Sequence, residues 1–117
     1  MKKTLIGFSV AMVCMSAHTS EPTPTSFLYA DARAWTRADE DRAKGVEWQQ
    51  ATRFQGFVTG VALTLNDIDP KVCLPARGSP RQYSAAVRDY LTDNPDLLNR
   101  PAQVLVREAL QRAFPCR

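Results

Sequence analysis

Three cysteines, a single histidine and a few closely spaced carboxylates are the residues of this chain whose types can do chemistry. The histidine, His18, stands near the N-terminus and none follows it, so the rest of the chain lacks the commonest general base. Cys73 and Cys116 therefore have no imidazole to activate a thiolate and no four-ligand zinc set to join. The nearest carboxylate pairs, Asp39 with Asp41 and Asp67 with Asp69, fall in charged or proline-bearing stretches that read as solvated, where nothing raises a pKa or excludes water. Asn66, Asp67 and Asp69 suggest calcium by density alone; the later glycine and bidentate glutamate of a calcium loop are missing. Ser79, in RGSPR, follows no strand and has no histidine to serve it, so it is no nucleophile elbow. GFVTG at Gly56–Gly60 lacks the preceding strand, third glycine and lysine of the phosphate-binding loops. The inventory points away from an enzyme and calls for no metal or cofactor.

What remains for the cysteines is to pair with each other, and the N-terminus supplies the compartment. Lys2-Lys3 followed by an uncharged run from Thr4 to Met15 has the layout of a secretory signal peptide, read as residues 1–17. Export places the chain in the periplasm, removes Cys14 and leaves Cys73 and Cys116, an even number in an oxidising space. The bridge would close a loop of about 44 residues, which chain-entropy reasoning values at roughly 4 kcal/mol. Lipid anchoring at Cys14 is the minor alternative; a small residue normally precedes such a cysteine, and here Met12 and Val13 do.

The elements that would position these residues are helical. Of the 117 residues, 44% are apolar and 23% charged, ordinary globular composition for one domain. Residues 18–25, with two prolines and no large apolar side chain, read as a disordered leader, and the fold is expected over 26–117. Ser26 is placed to cap a first helix whose inner face is Leu28, Ala32 and Trp35, with Asp31, Arg33 and Arg37 outside. A break follows around Asp39–Arg42 and Gly45. Ala51, Phe54, Val58, Val61 and Leu65 make the apolar stripe of a second helix, and Gly56 and Gly60, four apart, suggest a close helix crossing, within one subunit or between two. Asn66–Pro80 reads as a long loop, and loops of that length often carry function. Ser79 caps a third helix with Pro80 in its first turn, Gln82 placed for a capping box, and Tyr83, Val87, Tyr90 and Leu91 inside. Pro95 ends it near Asn94. Pro101 opens a fourth helix, with Leu105, Ala109 and Ala113 on one face, widened by Val106 and Leu110, up to Phe114-Pro115. No segment alternates as a strand would. The fold expected is all-α, a small four-helix domain stapled by one disulfide.

Charge narrows the partners. Fifteen basic residues less Lys2 and Lys3 leave thirteen against twelve acidic ones, and the arginines are spread singly with carboxylates among them. Nucleic acid needs clustered cations and is set aside. No stretch after the leader approaches the ~20 apolar residues of a membrane span.

GFVTG at Gly56–Gly60, CLP at Cys73–Pro75, VRDYL at Val87–Leu91, Asn94-Pro95, Pro101-Ala102 and the terminal AL…AFPC at Ala109–Cys116 together resemble the Rap/Tai immunity proteins of type VI secretion amidase effectors. The likeness spans about residues 26–117. It implies an exported helical protein, commonly homodimeric, that binds a papain-like peptidoglycan amidase and occludes its cleft with a protruding loop. Many members carry a second cysteine pair joining the first two helices; helix one here has no cysteine and Phe54 stands two residues before Gly56. Only Cys73–Cys116 carries over, leaving Leu28, Trp35 and Phe54 to hold helix one by packing. Contact residues do not transfer, so the polar residues of and beside the long loop, Asp67, Asp69, Lys71, Arg77 and Arg81, are the expected partner contacts. A periplasmic stress chaperone or an adaptor domain shares the helical single-disulfide architecture; the chaperone would need a dense carboxylate cluster as an acid trigger, which this chain lacks.

Overall fold

The computed structural model describes residues 25–117, and the signal peptide, Cys14 and all but the last residue of the leader lie outside them. Among the described residues the chain forms four helices and no strand: α1 (Thr25–Asp39), α2 (Glu47–Ile68), α3 (Pro80–Asp93) and α4 (Ala102–Ala113). The all-α expectation holds, and Cys73 is bonded to Cys116 with Cα atoms 4.9 Å apart.

The apolar faces meet in one core. Leu28, Ala32 and Trp35 of α1 pack with Ala51, Phe54, Val58 and Ala62 of α2; Tyr83, Val87, Tyr90 and Leu91 of α3 and Leu105, Val106, Ala109 and Leu110 of α4 complete it. The stripe on α2 is turned slightly from the one expected. Ala62 is fully buried, whereas Val61 and Leu65 are only partly covered, because the smaller side chain faces the closest approach. On α4, Ala113 is exposed, since the helix ends there and the chain turns away to its cysteine.

The helix ends follow local rules in part. Ser79 is the N-cap of α3, its Oγ accepting from the Gln82 N–H at 3.2 Å, with Pro80 following. α1 is already helical at Thr25, so Ser26 is not its cap; Thr25 is buried and its hydroxyl donates to the Arg100 carbonyl. The break between α1 and α2 passes through Asp41 and Gly45, both with positive φ, a conformation that glycine and aspartate tolerate better than most residues.

Asp31 corrects the reading of α1. It is buried, not on the outer face, and Arg53 of α2 grips it with two hydrogen bonds at 2.6 and 2.7 Å. Packing is therefore not all that holds α1. Trp35 lies 6.1 Å from Phe54 between ring centroids and donates its Nε1–H to Gln55 at 3.1 Å, while Arg37 pairs with Glu47 across the turn. Tyr29 adds a hydrogen bond to the Asn94 carbonyl, tying α1 to the end of α3.

Of the two crossings that the spacing of Gly56 and Gly60 left open, the one within a subunit is absent among the described residues. A Cβ built on either meets nothing within 4 Å, and both residues face solvent, so no helix of this chain crosses them.

Candidate functional site

The long loop is shorter than the sequence suggested, because α2 runs on through Asn66, Asp67 and Ile68. Asp67 is therefore an exposed residue of the last helical turn, and the irregular segment is Asp69–Ser79. The Asp69 N–H closes the helix on the Leu65 carbonyl at 2.8 Å, and the chain then leaves in extended geometry.

Asp69 itself turns inward. Its carboxylate is buried and accepts from the Lys71 N–H at 2.9 Å, Gln111 Nε2 at 2.9 Å and Arg107 Nε at 3.0 Å. These donors, the Lys71 N–H first, hold it below its ordinary value near 3.8. It was expected to touch a partner; it anchors the loop to α4 instead. A buried carboxylate needs such donors, and α4 supplies two of them from 38 and 42 residues away.

Further along, Val72 is buried, and the Cys73 N–H bonds to the Phe114 carbonyl at 2.9 Å beside the disulfide. Asn66 Oδ1 accepts from the Leu74 N–H at 2.9 Å, and Gly78 closes a turn on the Pro75 carbonyl at 2.9 Å. Gly78 is required by close approach: a Cβ there would lie 2.8 Å from Tyr83 Cε1. Tyr83 in turn meets Phe114 edge-on, with ring centroids 5.7 Å apart. Backbone bonds, one buried carboxylate and the disulfide thus hold the segment at its start, middle and end. What it presents outward is Pro70, Lys71, Cys73, Pro75, Ala76, Arg77 and Ser79, of which Lys71 and Arg77 carry charge.

Arg81, the last expected contact, lies at the start of α3 and is exposed, but both its Nε and Nη2 bind Asp39 of α1, at 2.6 and 3.0 Å. The guanidinium holds the Asp39 carboxyl below its ordinary range. Of the five residues, the structure leaves Asp67, Lys71 and Arg77 facing solvent on or beside the loop, employs Asp69 internally and ties Arg81 to α1. Beside the loop, Cys73, Pro75, Gln82, Phe114, Pro115 and Arg117 line an open groove of about 650 Å³.

The electrostatics suit binding better than proton transfer. Hydrogen bonds from Arg37 and Arg81 depress Glu47 and Asp39; at Glu108 burial pushes upward, but the bonds from Tyr90 and Arg100 outweigh it and the net shift is down. A general acid working near neutrality needs the opposite displacement. Burial raises Tyr29 and Tyr90, which stay neutral. Among the described residues no group of three or more metal-ligating side chains converges.

The family model of the Rap1a immunity proteins matches residues 25–116, all four helices and both bridged cysteines. The chain belongs to that family. No curated protein and no solved structure matches it. Membership makes the stapled helical domain that of an immunity protein against secreted effectors and implies an effector protein as its partner. Proteins of this family are generally non-catalytic and extracellular or periplasmic; among the described residues no helix is long and apolar enough to cross a membrane.

Proposed function

We propose that this chain is a periplasmic, non-catalytic immunity protein that binds a peptidoglycan amidase delivered by type VI secretion and occludes its active-site cleft with the Asp69–Ser79 loop. The observation that carries the reading is the combination of family membership with a loop that is fully tethered yet presents Lys71 and Arg77 outward. A loop ordered before binding loses less entropy on insertion into a cleft. Asp67, at the end of α2, and Arg81, beside the loop, flank the same approach. The chain acts as a homodimer, which leaves the loop of each copy free to engage one amidase.

The test is titration calorimetry of the chain against a panel of type VI amidase effectors, with peptidoglycan cleavage followed in parallel. A cognate effector is expected to bind with nanomolar affinity and lose activity, and Lys71→Glu with Arg77→Glu to weaken both by at least about a hundredfold, some 2.7 kcal/mol. Absence of binding across the panel, or inhibition indifferent to the loop, would overturn the reading.

A further inference from the structure

Both tryptophans of the chain line one cleft. Its floor is the face of α2 that runs from Trp48 to Thr59, and its walls are Trp35 and Asp39 of α1 and Pro80 of α3. The cleft measures about 510 Å³, within the range of ligand pockets, and opens to solvent. Trp35 is buried, whereas Trp48 keeps 49% of its surface exposed. Gly56 leaves the floor bare, since a Cβ there would meet nothing within 4 Å.

Charge and hydrogen bonding narrow what this cleft can hold. Asp39 is the single charged residue of the lining, and Arg81 takes both its oxygens. Behind it Arg88 lines the adjoining cavity and is itself paired with Asp89. The four charges cancel, so that wall favours neither a cation nor an anion. The polar groups of the floor are largely engaged as well. Thr52 donates to the Trp48 carbonyl at 2.9 Å, and Gln55 Oε1 accepts from Trp35 Nε1 at 3.1 Å. What remains is the Gln55 amide N–H pair, the Trp48 indole N–H and Thr59. The Thr59 Oγ1 is buried without a partner, while every other described threonine donates to a carbonyl. A polyol needs more partners than these; an aromatic ring with one oxygen at its tip does not.

The loop ends beside the cleft. Pro80 follows Ser79 directly, and Arg77 is three residues away, at most about 11 Å along the chain. An interface of ordinary size, about 800 Å² on each side, is wider than that, so a protein seated on Arg77 also covers the cleft. We propose that the cleft is a second anchor site for the effector, occupied by an uncharged aromatic side chain of that protein, a tyrosine ring against Trp48 with its oxygen toward Gln55. Tryptophans that border such pockets are where binding energy concentrates in protein interfaces. The inference rests on the immunity reading above and names the chemistry the partner presents beside the loop.

Two experiments test it. The first needs no effector. In a proton–nitrogen correlation spectrum the tryptophans give two indole N–H signals, and both report on the cleft. N-acetyl-tyrosinamide is expected to shift both, and Gly56→Leu, which fills the floor, to weaken that binding by at least about tenfold. Gly56→Leu has room for its side chain and suits a helix better than glycine, so helicity is expected to be retained. N-acetyl-lysinamide and N-acetylglucosamine are expected to shift neither signal. No shift with the tyrosine probe, or stronger binding of the lysine or sugar probe, overturns the proposal. In the second experiment, Trp48→Ala and Gly56→Leu are titrated with the amidase panel beside the loop variant. Each is expected to weaken effector binding by about thirtyfold or more. Weakening by the loop variant alone overturns the cleft and leaves the immunity reading standing, whereas a wild-type chain that binds no effector overturns both.

Discussion

At the residue scale, Asp69 decides how the loop leaves α2. Its carboxylate is satisfied by one backbone N–H and two side chains of α4, all of which prefer a charged acceptor. Asp69→Asn keeps the shape but loses the charge and turns an N–H donor toward donors. The expected outcome is a lower melting temperature, faster hydrogen exchange at the Lys71 N–H and weaker effector binding, with helicity retained. Arg107→Ala is expected to act in the same direction and less strongly, since that side chain is more than half exposed and its pairing is screened. Gly78→Ala tests the other end of the loop. Its Cβ would collide with the Tyr83 ring, which is already set against Phe114, so the melting temperature is expected to fall even though alanine suits the backbone better. Neither residue advertised these roles. Asp69 looked like the other loop carboxylates because its partners lie on α4, and Gly78 looked like one more turn glycine.

At the element scale, α1 is tied to α2 by an ion pair as well as by packing. Asp31 and Arg53 join the two helices, with the carboxylate buried and the guanidinium more than half exposed. Arg53→Ala leaves a buried carboxylate without its bidentate donor and is expected to cost about 1–3 kcal/mol in denaturant unfolding. The double change Asp31→Leu with Arg53→Met removes the desolvated charge along with its partner and is expected to recover most of that loss. Helix spacing correctly located the inner faces of all four helices, because side chains three and four apart must share a face. It misplaced Asp31, which the same spacing puts at the edge of the buried stripe; whether an edge residue is covered depends on the neighbouring helix. The cap of α3 was legible for the opposite reason. Ser79, Pro80 and Gln82 interact within one turn, and Ser79→Ala is expected to cost about 1 kcal/mol.

At the scale of the whole molecule, the bridge links the C-terminus to the middle of the loop across 43 residues. Reduction is expected to lower the melting temperature, by up to about 4 kcal/mol of stability on the chain-entropy argument, and to loosen the loop more than the helices. Hydrogen exchange resolved by segment would separate the two effects. Acid acts on a broader set of contacts. Asp39, Glu47, Asp69 and Glu108 all have folded values below their ordinary ones, so the stability they confer is complete above about 3.8 to 4.5 and is lost as pH falls through the lower folded values. The melting temperature is accordingly expected to stay level from pH 8 to about 5 and to drop below about 4. Asp69→Asn removes part of that drop.

The residues themselves determined the helical class, the inner faces, the start of α3 and the pairing of the two cysteines, because each follows from spacing within a turn or from there being two cysteines beyond residue 17. Tertiary structure alone decided the rest. It extended α2 into the expected loop, turned Asp69 inward toward α4, spent Arg81 on Asp39 and left Gly56 and Gly60 open to solvent. Each of these outcomes depends on which helix lies opposite. That is set by how four amphipathic faces close on one core, and no local run of residues encodes it.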